Sequence, residues 1–281
     1  MMKWRQAVPT SVTLAAMLSG FLALLVTIEG MMHAGTLQVP QHPYYRYAAL
    51  LIMLAMILDG LDGNLARWLR GESEFGAELD TYVDMTAFGI APAILIFAVS
   101  LQSQHIWRVI LPSAVAVSGV VRLARFKVRD PLRGQAGYAG LPITVNAGWV
   151  ALFVFICQTP PTDRFSLNQG WVATLFLMGI VTFTFLQVSN LRYPKPTKHV
   201  GLYTFCAILV IALLCLGLSE QLGQWAVPLA IVMIALGVGY ILIGPLFVKG
   251  VAVHKARKER KAAQLHGNAN NGGNGVNQDH P

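Results

Sequence analysis

The sequence predicts an all-α protein, a polytopic transmembrane helical bundle of about eight spans. Three observations carry that prediction. Hydrophobic residues fill 55% of the 281 positions and charged residues only 12%, whereas a soluble domain carries about 25% charged residues. Mean hydropathy is +0.55. The apolar residues also gather into eight runs, at 11–31, 47–68, 78–100, 106–121, 143–158, 170–188, 200–218 and 225–247, each near the length a helix needs to cross ~30 Å of hydrocarbon. A net charge of +8 invites a nucleic-acid reading. The basic residues, however, stand in short clusters between the apolar runs, which is the pattern of a membrane surface, so no nucleic-acid partner is expected.

Taken in order, the first run follows Lys3 and Arg5 but is too long for a signal peptide and has no A-x-A-like cleavage site after it. The second and third runs enclose an acidic cluster. The fourth and fifth are the shortest. Gly and Pro interrupt several runs, which neighbouring helices make tolerable by covering the backbone. The cysteines, Cys157, Cys206 and Cys215, all lie inside apolar runs and read as packing residues, not as a disulfide framework.

With eight spans, one side of the membrane receives eighteen Lys and Arg and the other only Arg46, Arg108 and Arg164. The positive-inside rule then puts both termini in the cytoplasm. Residues 1–248 form the transmembrane domain. Residues 249–281 form a tail, basic from Lys249 to Lys261 and then Asn/Gly-rich beyond His266, a composition that cannot bury a core.

Seven of the thirteen acidic residues fall between Asp59 and Asp84. Asp59, Asp62, Asp80 and Asp84 sit at the inner ends of the second and third runs, where an unpaired ionised group is costly and intramembrane acids are functional candidates. Asp59, Asp62, Gly63, Ala66 and Arg67 share one helical face, as do Gly76, Asp80 and Asp84. The short polar segment WLRGESEF between them predicts an antiparallel hairpin. Facing stripes would bring four carboxylates together, an arrangement that calls for cations between them. Oxygen ligands without His or Cys favour Mg²⁺, Mn²⁺ or Ca²⁺ over Zn²⁺, and two such ions suit displacement at phosphorus. The small residues on these faces would admit a bulky ligand or serve helix packing. Arg67 offers a two-pronged contact to phosphate.

The stretch DGLDGNLARWLRGESEFGAELDTYVD, Asp59 to Asp84, resembles the signature of the CDP-alcohol phosphatidyltransferase family: D-x-x-D-G-x-x-A-R, eight residues, then G-x-x-x-D-x-x-x-D. All eight defined positions match. The resemblance implies a helical membrane fold with a six-span core, here with an extension, usually dimeric, and transfer of a phosphatidyl group from a CDP-lipid to an alcohol with release of CMP. It implies that Asp59, Asp62, Asp80 and Asp84 hold two divalent ions, Mg²⁺ or Mn²⁺, and that Asp84 takes the acceptor's proton. Gly63, Ala66 and Gly76 would line the nucleotide pocket, and Arg67 would contact the CDP diphosphate.

The flanks resemble the family's bacterial membrane-integral phosphatidylserine synthase branch, in DTYVDMTAFGIAPAIL, RLARFKV (122–128), AGLPIT (139–144) and VSNLRYPKPTK (188–198). That likeness implies CDP-diacylglycerol and L-serine as substrates, a homodimer, and a bacterial inner-membrane location with the site facing the cytoplasm. Three positions depart from the branch: Ala87 replaces a serine, and the first span, with Pro9, Thr10, Thr13 and Ala16 where P-N-x-x-T-x-x-N is usual, lacks both asparagines. L-serine's carboxylate calls for a fixed cation, which Arg122 or Arg125 would supply; both also satisfy the positive-inside rule. Other acceptors, glycerol 3-phosphate or an inositol phosphate, fit the same chemistry. A cation-coupled transporter would also use intramembrane acids, but these lie at the inner boundary and the two halves show no repeat.

Overall fold

The computed structural model describes residues 4–33, 43–100, 105–128, 138–160, 162, 165–167, 170–193, 200–218, 225–246 and 248. Each of the eight apolar runs is a helix. They are α1 (Trp4–His33), α2 (Pro43–Leu69), α3 (Glu74–Val83) continuing through a π-helical turn (Asp84–Ile90) into α4 (Ala91–Val99), α5 (His105–Val128), α6 (Ile143–Cys157), α7 (Gly170–Val188) and α8 (Val200–Leu218), and α9 (Trp225–Leu246). Six are long and apolar enough to cross a membrane: α1, α2, the continuous Glu74–Val99, α5 from Ile106, α7 and α9; Ile143–Cys157 and Ala207–Leu218 are shorter apolar helices. The expected boundary at 248/249 and the basic and Asn/Gly-rich tail lie outside the described residues.

α1 runs antiparallel to α2 and, because the hairpin reverses the chain, parallel to α3. At one end a Cβ on Gly71, between α2 and α3, would lie 1.9 Å from the Arg5 carbonyl oxygen. In the middle, the Ser19 hydroxyl donates to the Leu51 carbonyl at 2.8 Å. At the far end a Cβ on Gly30 would stand 2.8 Å from the Tyr45 ring. Small residues thus let backbones approach where no hydrophobic force between helices exists in lipid. Gly71 serves that approach; the residue that turns the chain with positive φ is its neighbour Arg70, at 50°.

α6 is the central helix, buried on nearly every side, which is why its sequence is apolar all round. Trp149 packs on Phe153 and Phe183, with ring centroids 4.3 and 4.9 Å away, and against the bare backbone of Gly179. Two two-residue strands, β1 (Tyr138–Ala139) and β2 (Arg192–Tyr193), pair antiparallel. Beside them Gly140 has φ +78, and a Cβ there would lie 2.3 Å from the Gln187 carbonyl oxygen.

Candidate active site

α2 presents Asp59 and Asp62 one turn apart, and the α2–α3 hairpin returns Asp80 and Asp84 to face them. The return is local. Gly71 N–H donates to the Ala66 carbonyl at 2.9 Å, closing α2, and the Ser73 side chain caps α3 by accepting from Gly76 N–H at 3.0 Å. Carboxylate oxygens of Asp59, Asp62 and Asp80 come within 4.8 Å of one another. Asp84 opens the π-helical turn and lies within electrostatic range of Asp59, Asp80 and Asp62. π-turns re-aim the side chains around them and are frequent at functional sites.

Asp62 is only 5% exposed, and its Oδ2 is enclosed without a hydrogen-bond donor. A buried carboxylate oxygen without a partner is expensive, and three carboxylates within 4.8 Å compound that cost. A hard divalent cation removes both penalties, since it takes several oxygen ligands, including carboxylates. The donor set therefore fits a divalent metal.

The other expected residues surround this cluster. A Cβ on Gly63 would meet nothing within 4 Å, and the same holds for Gly60, so the exposed side of α2 beside the aspartates is open. Ala66 is half-buried on the same face. Gly76 lies in the first turn of α3, where a Cβ would come 3.1 Å from Ser73 Oγ; its smallness protects the cap as well as the approach. Arg67 is exposed and folded onto its own helix, with Nε donating to the Gly63 carbonyl at 3.0 Å and Nη2 to Asn64 Oδ1 at 2.8 Å.

The two arginines of α5 differ. Arg122 is half-buried and within electrostatic range of Asp84. Arg125 is exposed and turns towards the end of α7: its Nη1 donates to the Val188 carbonyl and its Nη2 to Asn190 Oδ1 at 2.6 Å. The structure thus brings Arg122, but not Arg125, to the aspartates.

Ser118 and Gln187 give no sequence signal, whereas Thr13, Lys127 and Ala87 belong to stretches that the family resemblance marks. Thr13 of α1 stands beside the Asp62 carboxylate while its hydroxyl donates to the Pro9 carbonyl at 3.1 Å. Ser118 and Gln187 join α5 to α7 through a buried 2.6 Å hydrogen bond. Lys127 pairs with Glu78, tying the end of α5 to α3. Ala87, where the resembling branch has serine, is fully buried; a Cβ on Gly20 would lie 2.5 Å from its Cβ. It belongs to the α1 contact and not to the open side.

The profile of the CDP-alcohol phosphatidyltransferase family matches residues 6–184. A CDP-diacylglycerol–serine O-phosphatidyltransferase of Helicobacter pylori is 34% identical over 152 residues, 54% of this chain and 62% of that protein. One of Methanocaldococcus jannaschii is 34% identical over 165 residues, 58% of this chain and 71% of its own. An archaetidylserine synthase of Methanothermobacter thermautotrophicus is 29% identical over 192 residues, 67% and 70% of the two chains. The match thus spans under two thirds of the Helicobacter relative's length.

Proposed function

The chain belongs to the CDP-alcohol phosphatidyltransferase family, and from that premise we propose that it transfers the phosphatidyl group of CDP-diacylglycerol to L-serine, giving phosphatidylserine and CMP. The observation that carries the reading is the set of three carboxylates within 4.8 Å, one with an orphaned oxygen, inside the matched region.

Asp59, Asp62, Asp80 and Asp84 would hold the metal, two Mg²⁺ or Mn²⁺ ions. Divalent ions at such a site neutralise a diphosphate and the charge gathering on a departing phosphate. The chain's own residues do the rest. The open side at Gly63 and Ala66 lets the cytidine diphosphate lie close to the α2 backbone, next to Gly76. Arg67 exchanges its Asn64 contact for the diphosphate, keeping a charge-assisted bond throughout. The serine hydroxyl oxygen bonds to the lipid-side phosphorus as the bond from that phosphorus to the CMP oxygen breaks, and Asp84 takes the hydroxyl proton. A hydroxyl is a weak nucleophile, so the remainder of the molecule must be held in place; Arg122, beside Asp84, anchors the serine carboxylate. The relatives' names support serine in particular: it recurs in a diacylglycerol-using enzyme and an archaetidylserine synthase.

The enzyme is an inner-membrane homodimer with both termini and the aspartates at the cytoplasmic face, a reading supported by the basic-residue asymmetry and by family resemblance. Purified protein given CDP-diacylglycerol and a panel of alcohols, with lipid products identified by mass, tests the proposal. Phosphatidylserine as the main product is expected. Preference for glycerol 3-phosphate or an inositol phosphate would replace serine but keep the reaction class; no CMP release with any acceptor would overturn both.

A further inference from the structure

The end of the bundle opposite the aspartates holds a cation that the transfer reaction does not use. Arg46, in the first turns of α2, is 6% exposed. It lies thirteen residues before Asp59, about 20 Å along the helix at 1.5 Å per residue. Its Nε is enclosed without an acceptor, and among the described residues its guanidinium meets no carboxylate. It lies over the Tyr47 ring, 5.3 Å from the centroid. The described acid at this end, Glu29, is exposed and set against His33 at 3.4 Å.

An arginine cannot shed its proton to escape this position, and an unpaired charge out of water costs several kcal/mol. A second arginine stands at the same end of the bundle. Arg108 of α5 is within electrostatic range of the Tyr45 phenol; its Nε donates to the Phe97 carbonyl at 3.3 Å, and its guanidinium lies over the Phe97 ring at 4.4 Å. Both arginines fall within the first four residues of their helices, where free backbone N–H groups and the helix dipole favour an anion. Exposed Ile106 and Trp107 flank Arg108, the setting of a lipid-water boundary, where Trp collects.

We propose that Arg46, with Arg108 at the same end of the bundle, binds the phosphodiester of an anionic phospholipid in the leaflet opposite the active site. Two arginine forks match a phosphate's oxygens, the aromatic rings cover the guanidinium faces, and the acyl chains lie along the apolar surface of α5.

The test uses the full chain in nanodiscs of phosphatidylcholine alone or with phosphatidylglycerol, reading retained lipid by native mass spectrometry and the melting temperature. The wild type should retain phosphatidylglycerol preferentially and melt higher in its presence. Arg46→Met should fold, because an apolar side chain replaces an uncompensated buried charge, and should melt no lower than wild type in phosphatidylcholine. Its apparent affinity for phosphatidylglycerol should fall about tenfold or more, the worth of a charge-assisted contact. Arg46→Lys should keep part of the preference and Arg108→Gln should lose less than Arg46→Met. Arg70→Gln, which removes a cation at the aspartate end, should keep it whole. Equal retention by wild type and Arg46→Met would overturn the proposal, as would equal losses in Arg46→Met and Arg70→Gln. An equal melting shift from inorganic phosphate at matched ionic strength would assign the site to a free ion and overturn the lipid.

Discussion

The α2–α3 hairpin and the corner where α5 meets α7 both lie at the same end of the bundle, yet they are built in opposite ways. All four aspartates come from twenty-six contiguous residues, Asp59 to Asp84, and one capped turn sets their spacing. The corner joins residues far apart in sequence: Arg125 reaches Val188 and Asn190 across 63 and 65 positions, Leu141 N–H donates to the Leu186 carbonyl at 3.0 Å, and β1 pairs with β2. A site that one hairpin assembles has its chemistry written in one motif. A site assembled from three segments has its chemistry divided among them, and only packing shows which residue faces inward.

The largest effect should fall on the hairpin. Asp59→Asn and Asp80→Asn each remove a ligand charge from the cluster, so both turnover and metal affinity should collapse together, and excess chelator should abolish wild-type activity. Isothermal titration with Mn²⁺ alongside CMP release reads both quantities. A variant with normal turnover and weakened metal binding would separate the cluster from the reaction.

Next comes Arg67→Lys, which keeps the charge and loses the fork. Replacing a bidentate contact by a point charge should cost about tenfold in kcat/KM for CDP-diacylglycerol. The serine KM should hardly move. An unchanged CDP-lipid KM would mean that Arg67 stays on Gly63 and Asn64 during turnover.

The contrast between the two regions also explains which features are legible in the sequence. Helix positions follow from apolar runs because lipid forces every backbone group to pair within its own segment, and the aspartates stand out because acids are so rare there. Thr13 is visible only as the threonine of the first-span pattern, and its place at the site cannot be read: a single threonine in an apolar helix bonds its own backbone as a matter of course, and only the antiparallel packing of α1 on α2 brings it to Asp62. α5 runs to Val128, beyond the apolar run that ends near 121, because Arg122, Arg125 and Lys127 are good helix formers that favour a C-terminal turn. Periodicity alone could not divide the labour between Arg122 and Arg125, one turn apart on the same helix.

Arg122→Ala tests that division. Removing the cation beside Asp84 should raise the serine KM about tenfold or more, the worth of a charge-assisted contact, with the CDP-lipid KM nearly intact. Serinol, which lacks the carboxylate, should react poorly with the wild type and lose less in the variant. Equal losses for serine and serinol would take Arg122 off the acceptor.

The smallest effect should come from Arg125→Ala. Its two donors already have acceptors in Val188 and Asn190, so a substrate carboxylate would have to displace them. Both contacts are exposed, and hydrogen bonds to a charged group are worth less where water competes. The variant should therefore lose only about two- to fivefold in kcat, the lower range for such bonds. The loss should be shared equally by serine and serinol, since a loosened corner has no means of sensing a carboxylate. Asn190→Ala should reproduce part of the defect, and the double variant should lose no more than Arg125→Ala alone, because the two residues act through one contact. A selective rise in the serine KM for Arg125→Ala, with Arg122→Ala unaffected, would exchange the two roles and place the acceptor at the corner instead of beside the hairpin.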